Sequence, residues 1–328
     1  MLQVTSPLGR TFQFQQTGAM LQGLLAVVLF SLTVPMTKLA MEAFSAEFIA
    51  ASRGFIAGAL CLLVVAWHGW AFPSFKECLW LLLSGLGVVV AFPYLLSLTL
   101  SSVSAANMGI ILAGLPLATS LMAVVLLGER YRLGFWLCAL LGAGVLILYF
   151  SQSQAAVLPQ GEGELVNLFL LALATLLLGG MGYAAGTGAA KTLGGWPTIC
   201  WMLVLYLPLS ALVFGYYGYQ ELAVTSALVS TDSLNGLGVN NLAHETSSDL
   251  NAWVCILYLA LVSQWWGFRF LYTAMSEAGA GTIGQIQLLQ PFFTLLFSAW
   301  LLLEPLHLSQ FAFLGLIICL VAGAIKFK

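Results

Sequence analysis

The sequence predicts an all-α, polytopic membrane protein of about ten transmembrane helices arranged as two inverted five-helix repeats, and three observations lead there. Of 328 residues, 61% are hydrophobic and only 7% are charged, whereas a soluble domain carries roughly 25% charged residues. That is too little charge to solvate a folded surface. Apolar stretches of about 20 residues, the length that crosses a hydrocarbon core about 30 Å thick, recur along the chain. The chain also aligns with itself at an offset of 175 residues.

In order, the first five apolar segments are Ala19 to Met41, Ala46 to Trp67, Cys78 to Leu100, Val103 to Leu127 and Leu133 to Phe150. Ser151 to Glu164, with Gln152, Gln154, Pro159, Glu162 and Glu164, reads as a linker. Five more follow: Leu165 to Ala190, Trp196 to Tyr219, Ala252 to Ala274, Gly279 to Leu303 and Leu308 to Phe327. The expected units are therefore a repeat at 1–150, a linker at 151–164 and a repeat at 165–328. A long polar loop at 220–251 lacks any Lys or Arg; a flexible solvated connection and a lid or partner contact are both open readings of it. The first eighteen residues lack the basic segment and short apolar stretch of a cleaved signal, so the first apolar run is read as a retained span.

Basic residues are held back on the cytoplasmic side during insertion. With the N-terminus inside, Arg10, Lys76, Arg130, Arg132, Lys191, Lys326 and Lys328 fall on the cytoplasmic side, with Arg269 near that end of its span. Lys38 and Arg53 fall toward the outside, where most acidic residues also lie. The expectation is a cytoplasmic (plasma or inner) membrane protein with both termini in the cytoplasm. The net charge of −2 and the absence of a basic stripe argue against a nucleic-acid partner. Cys61, Cys78, Cys138, Cys200, Cys255 and Cys319 sit in apolar stretches without a metal-binding spacing, so neither a metal nor any other cofactor is expected. The partners expected are the lipid bilayer and a small-molecule substrate, for a chain acting as a monomer.

At the 175-residue offset, Ser101/Ser276, Ala105/Ala280, Gly109/Gly284, Ile111/Ile286, Pro116/Pro291, Thr119/Thr294 and Glu129/Glu304 coincide. Matched Gly, Pro and Glu are harder to obtain by chance than matched Leu. Five spans per half is an odd number, so the second half enters the membrane from the opposite side. Inverted repeats of this kind are a design of secondary transporters, with a site near the midplane.

Several segments resemble the ten-helix EamA-type branch of the drug/metabolite transporter superfamily. Ser31-Leu-Thr-Val-Pro-Met-Thr-Lys38 is similar to its first-span motif, and Ala46-Glu-Phe-Ile-Ala-Ala-Ser-Arg53 to its second. Leu115-Pro116 through Glu129 and Gln290-Pro291 through Glu304 resemble its paired Pro-to-Glu segments. The sequence departs from the pattern at Phe30-Ser31, where Trp-Gly is usual, and at Pro305 after the second Glu. The resemblance implies movement of amino acids, metabolites, drugs or sugar conjugates across a membrane and selects none of them. It also implies that spans one to four and six to nine surround a central cavity while five and ten are peripheral.

Candidate cavity residues are the polar ones within spans. A charge at the bilayer centre costs about 2.5–3.5 kcal/mol on insertion scales, so Arg53 needs a partner; an ion pair with Glu42 or Glu47 and the holding of an anionic group are both readings. Lys38 is read as a snorkelling side chain or as a second anion contact. Trp265, Arg269 and Tyr272 fall on one helical face at spacings of four and three, beside Gln264. Gln285, Gln287 and Gln290 precede Pro291, while their counterparts at the offset, Ile110, Leu112 and Leu115, are apolar. Tyr94, Asn107 and Tyr183 complete the set. Pro93, Pro116 and Pro291 each remove a backbone donor and free a carbonyl, and the paired Pro116 and Pro291 are hinge candidates. Gly179, Gly180, Gly182, Gly186 and Gly188 allow close helix approach or local unwinding of the sixth span. Glu129 and Glu304 are read as caps for the helix that follows each of them.

The leading reading is a secondary transporter of small organic solutes working by alternating access. A channel or scaffold is the alternative. A membrane enzyme is disfavoured, because His68, His244 and His307 are scattered and no Asp lies within a span.

Overall fold

A computed structural model describes the backbone of residues 7–128, 130, 132–153, 162–235, 250–278, 283 and 286–326. The chain is all-α, with no strand among the described residues. Among the described residues seven helices are long and apolar enough to cross a membrane: α1 (Thr17–Ala40), α2 (Ala46–His68), α3 (Phe75–Ser102), α4 (Ala105–Leu127), α6 (Val166–Leu193), α7 (Gly195–Glu221) and α8 (Leu250–Ala278). Three other apolar helices complete the bundle, α5 (Leu133–Ser153), α9 (Gln290–Leu302) and α10 (Leu308–Lys326). The protein is therefore an integral membrane protein.

Helix ends fall where local chemistry satisfies the first amides or allows a reversal. Ser45 and Ser104 are N-caps whose hydroxyls accept from Phe48 N and Asn107 N. Ser74 and Glu77 form a capping box at α3. Gly69 and Gly128 close α2 and α4 in the left-handed region, which glycine enters without steric cost. Past α7 the backbone stays helical to Asn235, so the polar segment expected as loop from 220 begins as helix; no Gly or Pro interrupts it before Gly236. Residues 236–249, Glu129 and 154–161 of the linker lie outside the described residues.

The packing partners follow a pattern. Helix α2 packs on α7, α4 on α9 and α5 on α10; α1 packs on α8 as α3 does on α6, and α4 packs on α6 as α1 does on α9. Exchanging each helix for the one five places along leaves this set of pairs unchanged. Helices α5 and α10 pack mainly on one another, and Leu314 and Ile317 of α10 join Ala106 and Ile110 of α4 and Leu295 of α9 in a small apolar cluster.

Five interruptions of the regular helices lie in the bundle interior. Helix α1 has a turn residue at Leu32, ahead of Pro35. Helix α4 breaks at Ala113–Gly114 and the stretch before α9 at Leu288–Leu289, each immediately followed by Leu115-Pro116 or Gln290-Pro291. Both breaks tighten into i→i−3 bonds, Gly114 N to Ile111 O and Leu289 N to Ile286 O. Helices α3 and α8 contain π-helical turns, Leu86–Ala91 and Tyr258–Gly267. The two breaks and the two π turns occupy matching positions at the 175-residue offset. So do Gly128 and Leu303, both left-handed at a helix end.

Close approach at the π turn of α3 depends on glycine. A Cβ on Gly87 would stand 2.6 Å from Gly182 Cα and 2.6 Å from Leu178 O of α6. Both obstacles are backbone and cannot rotate away. Gly87→Ala is expected to destabilise the detergent-solubilised protein by about 1–3 kcal/mol, read as a lower unfolding temperature. Gly215→Ala, where nothing lies within 4 Å of the added atom, should leave that temperature unchanged.

Candidate functional site

The interruptions converge on one cavity. It is lined by Phe30, Thr33 and Val34 of α1, Arg53 of α2, Phe92 and Leu96 of α3, Leu112 of α4, Tyr183 of α6, Ser263 and Phe268 of α8, and Gln290 of α9. Thr33 follows the turn in α1, Phe92 follows the π turn of α3, Leu112 precedes the break in α4, Ser263 sits in the π turn of α8, and Gln290 follows the α9 break. Irregular backbone at membrane depth is tolerated where it is buried in protein or lines a cavity, and here it does so from five helices. The empty space is about 300 Å³, of which about 10 Å³ is open to the centre of a water molecule; this is room for roughly one water.

Arg53 lies seven residues beyond Ala46, about 10 Å into α2 at 1.5 Å per residue. It is 2% exposed. Its one hydrogen bond among the described residues runs from Nη2 to Ser263 Oγ at 3.4 Å, and Nε is buried with no acceptor. The ion pair with Glu42 or Glu47 does not form. Glu47 accepts instead from the Tyr94 hydroxyl at 3.3 Å. Thr33 Oγ1 and Ser263 Oγ lie 2.8 Å apart, so α1, α2 and α8 meet through one polar chain. Around it stands an aromatic wall: Tyr183 and Phe30 both pack edge-on against Phe268, at 5.4 and 4.9 Å.

Of the residues singled out from sequence, Arg53, Tyr183 and Gln290 meet in this cavity. The Gln290 carbonyl also accepts from Ser31 Oγ at 3.1 Å, tying α9 to α1. Gln287 is buried one turn earlier, and Gln285 lies outside the described residues. Lys38 is elsewhere: its Nζ donates to Leu100 O at 2.6 Å and Val103 O at 3.4 Å, closing the C-terminal end of α3. Asn107 accepts from Gln310 Nε2 at 2.9 Å, between α4 and α10. Tyr94 and Glu47 line a separate, largely apolar pocket of about 720 Å³ between α2, α3 and α7.

The residues of α8 do not act as one face. Arg269 stacks over Trp196 at 3.9 Å and over Trp266, three residues before it, at 4.5 Å. Tyr272 is fully buried and its hydroxyl lies 3.2 Å from Ser84 Oγ. Trp265 packs against Trp266 inside the π turn, where the wider coil offsets the spacing of a regular helix. Thr33, Ser263, Phe30 and Phe268 were not anticipated from sequence. Their signals were the position of Thr33 between Ser31 and Pro35 and that of Ser263 beside Gln264.

Gln264 joins the two π turns. Within Leu86–Ala91 the carbonyl of Gly87 accepts from Phe92 N, five residues on. The same step from Val88 reaches Pro93, which has no N–H. Gln264 Nε2 supplies the missing donor, 3.1 Å from Val88 O, while its own Oε1 is buried without a partner.

The hinge candidates Pro116 and Pro291 each stand in the first turn after a break. The Pro291 segment packs against α4 ahead of its break, since a Cβ on Gly109 would meet Thr294 Cγ2 at 3.0 Å. At one end of the bundle Glu304 accepts from Ala105 N at 2.9 Å and Ala106 N at 2.8 Å. A carboxylate following α9 thereby caps α4, where charge and helix dipole act together.

A description of EamA-like transporters matches this chain over residues 17–151 and 237–325. The chain belongs to the EamA-like transporter family. It is 32% identical over 315 residues to the uncharacterized transporter YdeK of Bacillus subtilis (strain 168), covering 95% of this chain and 98% of that protein. A protein of known crystal structure, 16% identical, superposes with a TM-score of 0.59 over 93% of this chain and 97% of its own, which shows a shared fold. This EamA-like protein is thus a membrane transporter by family.

Gln264→Leu removes the donor to Val88 O. A buried carbonyl left unpaired costs about 1–3 kcal/mol, so the variant is expected to unfold at lower temperature. Gln264→Glu, protonated in this buried setting, should lose less because its hydroxyl can donate; thermal unfolding of both variants measures the difference.

Proposed function

We propose that this EamA-like protein is a secondary transporter that carries small organic solutes across the cytoplasmic membrane by alternating access of two inverted halves, 1–150 and 165–328, about the Arg53 cavity. The observation that carries the reading is the convergence of breaks and π turns, at positions matched between the halves, on one polar cavity. Breaks let a helix bend without losing many hydrogen bonds, and paired breaks let two halves exchange their bends. The exchange of helix partners at a spacing of five supports the same pseudo-two-fold relation.

Orientation rests on the basic residues. Lys76, Arg130, Arg132 and Lys191 cluster at one end of the bundle and Glu42, Glu47, Glu221 and Glu304 at the other, so the basic end faces the cytoplasm and both termini lie there. A channel fits less well, because Phe30, Phe92, Leu112 and Phe268 make part of the cavity wall apolar, not a continuous polar path. The chain acts as a monomer in this reading, since the site is complete within it.

The test is flux into proteoliposomes with a panel of carboxylates, amino acids, nucleosides, sugars and cationic drugs. Saturable uptake of at least one class is expected, lost or altered in selectivity in Tyr183→Ala and Gln290→Ala. Only non-saturable leakage, equal to empty vesicles for every class, would overturn the reading.

A further inference from the structure

We propose that the solute is an organic monoanion, a carboxylate on a small apolar body, held through the Arg53 guanidinium. The proposal rests on the transport reading above and adds the chemical class.

Three features of the cavity point to it. The guanidinium has five N–H donors in a planar fork, and among the described residues it uses one of them, at the long distance of 3.4 Å, while Nε is buried with nothing to bind. A carboxylate engages that fork through two parallel hydrogen bonds. Second, among the described residues Arg53 is the one charged residue lining the cavity, and no acidic residue lines it. A solute ammonium would stand beside the guanidinium with no carboxylate to receive it. A cation or a zwitterion therefore fits worse than a monoanion, whose charge the site neutralises. Third, polarity is divided: Thr33 and Ser263 extend the hydroxyl side from Arg53, and Phe30 and Phe268 form an aromatic side for the apolar body. The free volume must grow beyond its present one-water size to admit the solute. The breaks next to Leu112 and Gln290 supply the place for that expansion.

A charge kept unpaired inside a membrane protein is a stability cost retained for function. Removing it should make the unliganded protein more stable, whereas removing half of a structural ion pair would make it less so.

The experiment uses the full chain in detergent and in proteoliposomes. Binding is read by thermal shift and by tryptophan fluorescence with phenylacetate, hexanoate and butyrate, alongside phenylacetamide, phenethylammonium and L-phenylalanine. At least one carboxylate is expected to bind the wild type, with its matched neutral, cationic and zwitterionic analogues about tenfold weaker or more, the scale of one charge-assisted hydrogen bond. Arg53→Gln should abolish carboxylate binding while its unliganded melting temperature stays level or rises, and Arg53→Lys should bind with intermediate strength. Equal binding of phenylacetamide or phenethylammonium, unchanged carboxylate binding in Arg53→Gln, or no binding of any carboxylate would overturn the assignment. The wild-type comparison of acid with amide holds even if a variant fails to fold. Saturable flux of a neutral or cationic solute without carboxylate binding would sink the anion assignment and leave transport standing. Carboxylate binding with no saturable flux of any solute would support the site and sink the transport reading.

Discussion

In a bilayer interior every backbone N–H and C=O must find its partner inside the protein, and that constraint organises this molecule. Regular helices meet it without help, so each departure from regularity needs a specific answer from a neighbour. The π turn of α3 ahead of Pro93 leaves Val88 O without a backbone donor, and Gln264, from the π turn of α8, answers it. Glu304 answers the first amides of α4, and Lys38 the last carbonyls of α3. These answers come from the other half of the chain or from a distant helix, so the irregular centre holds only when the two halves are assembled.

The same constraint separates regular parts of the bundle from irregular ones. Helices α5 and α10 pack on each other at the side of the bundle and carry no part of the cavity. The Pro291 segment packs on the part of α4 ahead of its break through Thr294 and Gly109, and the Pro116 and Pro291 segments each follow a break. Arg53 shares its cavity with Leu112 and Gln290, which flank the two breaks, and among the described residues it has a single long hydrogen bond. A protein that needed only to be stable would fill that position with an apolar side chain.

Much of this was legible in the residues. Apolar length placed the helices to within a few residues; Ser45, Ser74 and Ser104, which cap the starts of three of them, are a local signal that apolar length alone does not use. The charge of Arg53 inside an apolar run announced an unusual site, and paired Pro116 and Pro291 announced breaks. The π turns were not legible, because an inserted residue leaves no composition signature, and with them the roles of Ser263 and Gln264 stayed hidden. Lys38, nearer a span end, and Arg53, inside its span, were both open to an anion-holding reading in sequence. Their fates differ because Lys38 lies beside the end of α3, where free carbonyls are available, and Arg53 lies a few turns deeper, where none is. The stacking of Arg269 on Trp196 depends on the approach of α7 to α8, a tertiary fact that spacing along one helix does not contain.

The most direct measurement of the central claim, one site reached alternately from both sides, is thiol accessibility at that site. In a background with the six native cysteines replaced, Ser263→Cys would be exposed to a membrane-impermeant thiol reagent in right-side-out and in inside-out vesicles. Alternating access predicts labelling from each side while the vesicles remain sealed to the reagent. Labelling from one side alone, or passage of the reagent through the protein into the lumen, would contradict it.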